Sequence, residues 1–132
     1  MALFADTSGF FAISAEGDRR YAEALRFWQE CIDAREELVS TNYVVVETFV
    51  LMQRRLGIAA ARRFQTDVVP VLQVEWIDEP THRSAVAATL SAGLRNLSLV
   101  DCVSFEVMRR LGLDRVFAFD ADFQDHGFRC LP

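Results

Sequence analysis

Residues 97–123, LSLVDCVSFEVMRRLGLDRVFAFDADF, decide how the rest of the chain is read. Ser98 is placed as a helix N-cap, with Asp101 three residues later. An amphipathic helix follows and ends at Gly112, the residue type best suited to a helix C-terminus. After a turn at Asp114 comes a short apolar strand, Val116-Phe117-Ala118-Phe119, which stops at Asp120 and Asp122. Acidic residues therefore sit at the start of a helix and at the C-terminal end of a strand. In open parallel sheets, ligands bind at that carboxyl edge.

The bulk properties frame this reading. At 132 residues the chain is read as one domain, residues 1–132, long enough to bury a core. A hydrophobic share of 52% fits a globular protein and excludes disorder. No apolar run approaches the roughly 18 residues of a membrane span, and Asp6 interrupts the first apolar residues, so no signal peptide is expected. Cys31, Cys102 and Cys130 form no C-x-x-C pair, which favours incidental thiols in a reducing cytoplasm. The net charge is −5 and all 14 basic residues are arginine. An acidic chain is a poor default partner for phosphates. The exception is a protein whose acids share one pocket with metal ions, since two divalent cations bring the balance close to neutrality.

From the N-terminus, Ala2 to Ala5 reads as a buried strand broken by Asp6-Thr7-Ser8-Gly9. Asp6 is either a helix cap or a site residue at a strand end. Residues 18–36 form a helix with Tyr21, Leu25, Trp28 and Ile32 on one face. Ser40, Thr41 and Asn42 start a helix that ends at Arg54, Arg55 and Gly57, although its valines also suit a strand. Glu47 is its one charge between Thr41 and Gln53, and either period places it among apolar residues, where an unpaired carboxylate is costly. Residues 58–69 continue as a helix whose Arg62 and Arg63, with Arg54 and Arg55, are either a basic rim or solvated helix ends. Residues 71–77 are read as a strand. A helix starting at Asp78-Glu79-Pro80 and running to Gly93 carries enough alanine to pack closely on a sheet. His82 and His126 read as exposed loop or helix-end residues, and a short strand near Phe128 closes the chain.

Helices alternating with short buried strands predict an α/β layered domain with a mostly parallel central sheet. Right-handed crossovers then put Asp6 and Asp120 on one edge, with the helix of Asp101 starting there. Each acid has an ordinary explanation: Asp101 as half of a capping box, worth about 0.3–1 kcal/mol, and Asp120 and Asp122 as turn formers. Convergence is what these do not explain. Two carboxylates ~4 Å apart repel by roughly 4 kcal/mol at an effective dielectric near 20. A cation relieves that repulsion, and an all-carboxylate donor set favours Mg²⁺ or Mn²⁺ over zinc.

Four features in this order carry a resemblance: Asp6 after the first strand, a lone Glu47 in a valine-rich helix, Leu97-Ser98-Leu99-Val100-Asp101, and Phe119-Asp120-Ala121-Asp122-Phe123 before Gly127-Phe128. Together they resemble the PIN-domain ribonucleases, above all the small VapC toxins of VapBC toxin–antitoxin pairs. The resemblance implies a PIN-like three-layer α/β/α sandwich and metal-dependent hydrolysis of RNA with one or two Mg²⁺ or Mn²⁺ ions. It puts the acidic quartet on Asp6, Glu47, Asp101 and Asp120, with Asp122 assisting. Asp6 and Asp101 are candidates to hold metal, Glu47 and Asp120 to orient water. Thr7 or Ser8 matches the hydroxyl after the first acid, whereas Ala118 departs from the family's Thr or Ser. The resemblance further implies a homodimer and a VapB-type antitoxin, placed in an exposed apolar groove that includes Phe10, Phe27 and Trp28. The alternative is a PIN-fold scaffold that binds RNA or protein without cutting. A phosphate-receiver domain is excluded by the lack of lysine. A haloacid-dehalogenase-type phosphatase is disfavoured because Asp6-Thr7-Ser8 has no second acid.

Overall fold

A computed structural model describes residues 1–132. Its elements are β1 (Ala2–Ala5), α1 (Thr7–Ser14), α2 (Tyr21–Asp33), β2 (Glu37–Thr41), α3 (Asn42–Arg55), α4 (Ile58–Arg63), β3 (Gln73–Glu75), α5 (Glu79–Ala92), α6 (Leu99–Leu111), β4 (Arg115–Phe117), α7 (Ala121–Asp125) and β5 (Arg129–Leu131). A π-helical turn at Phe64–Val68 and a 3₁₀ turn at Val69–Val71 join α4 to β3.

The five strands form one sheet in the order β3-β2-β1-β4-β5, and every neighbouring pair is parallel. The chain winds outward from β1 to β3, then returns to the other side of β1 for β4 and β5. The reversal lies between β1 and β4, and a crevice opens there at the carboxyl ends of the strands. With right-handed crossovers, the helices before the reversal cover one face and those after it the other. Packing agrees: α1 lies against α2 and α3, α3 against α4, and α6 against α5 and α7, while α3 meets α6 beside the crevice.

Two elements are missing from the sequence reading: α7, where Asp120 and Asp122 were read as turn formers, and β2, where the reading ran a helix through Glu36 and began the next at Ser40. The helix stops at Asp33, and Leu38 and Val39 are both buried, as expected of a strand covered on both faces. Ser40 Oγ donates to the carbonyl of Ala5 (2.9 Å) and ties β2 to β1. β3 is shorter than read, and Trp76 just beyond it is 77% exposed. α5 does not lie on the sheet. Ala85 packs toward α6, while Ala87, Ala88 and Leu90 face solvent.

Gly9 shows why α1 sits so close to β4. A Cβ at this position would lie 2.7 Å from the carbonyl oxygen of Phe117 and 2.8 Å from its ring. We expect Gly9→Ala to destabilise the protein by about 1–3 kcal/mol, as overpacking does in a filled core. Thermal denaturation measures it, and an unchanged melting temperature would refute this account of the α1–β4 contact.

Candidate metal centre

Asp6 leaves β1 in an extended conformation and caps α1. Its Oδ2 accepts the Ser8 N–H (3.1 Å) and the Ser8 hydroxyl (2.7 Å). Ser8 Oγ in turn accepts the N–H of Phe119 (3.0 Å), so the first acid is fastened to the loop that carries Asp120. Asp6 is therefore a helix cap, and it also stands close enough to Asp101 for its charge to act there.

Asp101 is the third residue of α6 and completes a reciprocal capping box. Its N–H donates to Ser98 Oγ (3.0 Å), and its Oδ2 accepts from the Ser98 N–H (3.2 Å). That uses one carboxylate oxygen and leaves the other. Asp120 caps α7, accepting the N–H of Asp122 at Oδ1 (3.0 Å). Carboxylate oxygens of Asp101, Asp120 and Asp122 lie within 4.8 Å of one another. The structure brings these three together most closely, while Asp6 and Glu47 stand beside the group and act on it electrostatically.

Glu47 is half-buried on α3, one turn from Tyr43. Thr48 donates to Thr7 Oγ1 (3.0 Å), and the Thr7 hydroxyl favours the ionised form of Glu47. The two residues after Asp6 therefore divide the work: Ser8 holds Asp6, and Thr7 serves Glu47. Ala118, at the family's hydroxyl position, is buried and donates its N–H to the Leu131 carbonyl (3.3 Å).

The electrostatics record the crowding. Burial pushes Asp6 up to about 6, against the Ser8 hydrogen bonds that favour its charge, and Glu47 adds repulsion. Burial also raises Asp101 to about 6, with Asp6 and Asp120 contributing. Glu47 is raised first by burial and then by Asp101 and Asp120. Asp122 is raised by burial and by Asp120. Every charge raising these four groups is another carboxylate, and no arginine neutralises them. An oxygen-only donor set, close spacing and negative charge opposed only by His126 beside Asp122 fit a hard divalent cation. Asp101, Asp120 and Asp122 are the residues that could hold such an ion, with Asp6 and Glu47 adding to the negative field. A bound cation would supply electrostatic neutralisation and lower the pKa of a water molecule.

Other sequence readings change. Phe10 and Trp28 are buried (0% and 9% exposed), so they do not line an open groove as large exposed rings. Phe27 and Trp28 both reach Phe117, at ring-centroid distances of 5.3 and 5.9 Å. An opening between α1, α2 and α4 does exist, about 360 Å³ and lined by Ile13, Leu25 and Val68, with Trp28 at its floor. His82 is half-buried and hydrogen-bonds Tyr43 through Nδ1. His126 stacks on Phe105 (4.4 Å between ring centroids). Arg54, Arg55, Arg62 and Arg63 are all exposed and unpaired with any carboxylate.

The PIN-domain family pattern matches residues 3–129. The 23S rRNA-specific endonuclease VapC20 of Mycobacterium tuberculosis is 34% identical over 131 residues, covering 96% of this chain and 95% of that protein. The crystal structure of M. tuberculosis VapC20, described as a sarcin–ricin loop cleaving toxin, superposes with a TM-score of 0.83 at 32% identity, covering 96% of this chain and 95% of that one. PAE2754 from Pyrobaculum aerophilum shares the fold at a TM-score of 0.69 and 18% identity, covering 98% of this chain and 89% of its own. FitAcB from Neisseria gonorrhoeae does so at 0.70 and 13%, covering 100% and 97%.

Proposed function

The chain belongs to the PIN-domain family, and from that premise we propose that it is a divalent-metal-dependent endoribonuclease, the toxin of a toxin–antitoxin pair. The observation that carries the reading is the convergence of Asp101, Asp120 and Asp122 within 4.8 Å at the point where the sheet reverses. Similarity to VapC20 makes 23S rRNA the first substrate to test.

In this reading Asp101, Asp120 and Asp122 hold Mg²⁺ or Mn²⁺. The ion supplies neutralisation of the phosphodiester and activation of water. Glu47, half-buried and with its proton affinity raised by burial, is the candidate to take a proton from the attacking water. Asp6 is held by Ser8 against the β4–α7 loop and fixes the position of Asp120 relative to α1. In-line attack on phosphorus leaves a 5′-phosphate and a 3′-hydroxyl.

Incubation of rRNA with purified protein and Mg²⁺ or Mn²⁺, followed by end mapping, tests this. Discrete cuts with 5′-phosphates that vanish with chelator are expected. Metal-independent RNA binding without cuts would favour the scaffold reading.

We place a homodimer contact on the exposed apolar faces of α3 and α5, where Val46, Val50 and Leu90 are 61%, 44% and 76% exposed. An antitoxin segment fits the opening between α1, α2 and α4. Light scattering should give the dimer mass for the wild type and the monomer mass for Val46→Glu; a wild-type monomer would refute the contact.

A further inference from the structure

The nuclease reading leaves a physical problem. An acidic chain with an acidic pocket must hold a polyanion, and the metal neutralises the pocket alone. Something beside the pocket has to grip the RNA strand.

Arg20 is placed to do so. Its guanidinium lies over the ring of Phe119, 5.0 Å from the centroid. Phe119 directly precedes Asp120, and its N–H is held by the same Ser8 hydroxyl that donates to Asp6. The ring also meets Phe117 edge-on at 6.2 Å, so the surface under the arginine is anchored in the core. The backbone of Arg20 is fixed as well: its N–H donates to Asp18 Oδ1 (2.8 Å), and its carbonyl accepts from Ala24 (2.9 Å).

A guanidinium over an aromatic face keeps its charge and its N–H donors for a further partner. In this protein those donors meet no carboxylate, since Arg83 and Arg115 are the arginines that form ion pairs. Nor does Arg20 count among the charges acting on Asp6, Glu47, Asp101 or Asp122. Phe119 links it to Asp120, the next residue in the chain. A guanidinium held over the residue that precedes Asp120 suits a phosphate flanking the one that is cut.

We propose that Arg20, held over Phe119, the residue directly before Asp120, is a substrate-positioning residue that binds an RNA phosphate adjacent to the scissile one. This rests on the nuclease reading for the word scissile, but the phosphate contact can be measured without cleavage. The probe is a fluorescein-labelled RNA stem-loop with the sequence of the 23S rRNA sarcin–ricin loop. Its affinity is measured by anisotropy across a salt series, in an Asp101→Asn background so that bound RNA stays whole. Arg20→Ala should weaken binding about tenfold and reduce the slope of log affinity against log salt by about 0.7, the loss of one phosphate contact. Arg20→Lys should keep the slope, because it keeps the charge. With otherwise wild-type protein, Arg20→Ala should raise KM and leave kcat within about twofold, the pattern of lost uniform binding.

Equal affinity and equal slope for Arg20→Ala would overturn the proposal. So would a fall in kcat that tracks a fall in melting temperature, which would make Arg20 a packing residue. If the wild type cuts no RNA at all, the nuclease reading falls, and the anisotropy series alone decides Arg20.

Discussion

Asp101→Asn should lower RNA cleavage by about 10²–10³-fold, the loss typical of removing one preorganised electrostatic group. The substitution is nearly isosteric. Asparagine at this position still accepts from the Ser98 N–H and still offers its own N–H to Ser98 Oγ, so the capping box persists. What disappears is one negative charge from a group of three whose oxygens lie within 4.8 Å. Asp120→Asn should behave alike, because its cap to Asp122 also survives the change. Asp33→Asn is the control: it is exposed at the end of α2 and lies outside the group, so its activity should stay within about threefold, as surface changes away from a site do. The assay is single-turnover cleavage at saturating Mg²⁺, with circular dichroism to confirm folding. A folded Asp101→Asn protein that cuts as fast as the wild type would remove Asp101 from the site.

The α6 segment could be read residue by residue because its signals are local: a cap, a charge at the third position, an apolar stripe and Gly112 in the left-handed conformation at φ 70°. Asp6 and Asp120 could be placed on one edge because parallel topology fixes where strands end. β2 was hidden because its apolar content is two residues, Leu38 and Val39, wedged between a helix end and the Thr41 cap, too short for any periodicity to register. The orientation of α5 was misread because alanines suit a helix–helix contact and a helix–sheet contact equally. Trp28 illustrates a further limit. An amphipathic pattern says that a ring lies on the inner face, and only the tertiary structure says that Phe10 and Phe117 close over it, at 5.9 Å each. No local signal connects Arg20 with Phe119, or Thr7 with Thr48 and Glu47, since those contacts join distant segments.

The metal-free protein should become more stable on acidification from pH 7.5 to 5, opposite to the usual behaviour of proteins with salt-bridged carboxylates. Asp6 and Asp101 each rise from 3.8 to about 6 in the folded state. A raised folded-state pKa means that the native protein binds the proton more tightly than the unfolded chain does. The resulting stability is fully present below pH ~4 and is lost as the pH climbs through about 6. For Asp6 the shift corresponds to about 3 kcal/mol between the two limits, and to roughly half of that between pH 5 and 7.5. In a chain of this size the melting temperature should rise by about 5 °C over that interval. Asp6→Asn removes a charge that the empty pocket does not want, so this variant should melt higher than the wild type at pH 7.5 and show a flatter pH profile. A bound divalent cation should reverse the order. Mg²⁺ stabilises the wild type by mass action, more at pH 7.5 than at pH 5, because it competes with protons for the same oxygens. Asp6→Asn should gain less from the metal. Differential scanning fluorimetry at three pH values, with EDTA and with Mg²⁺, reads all of these at once. A wild-type melting temperature that falls on acidification while Asp6→Asn follows it in parallel would mean that the acids are ionised at no cost, and that nothing in the fold requires a cation there.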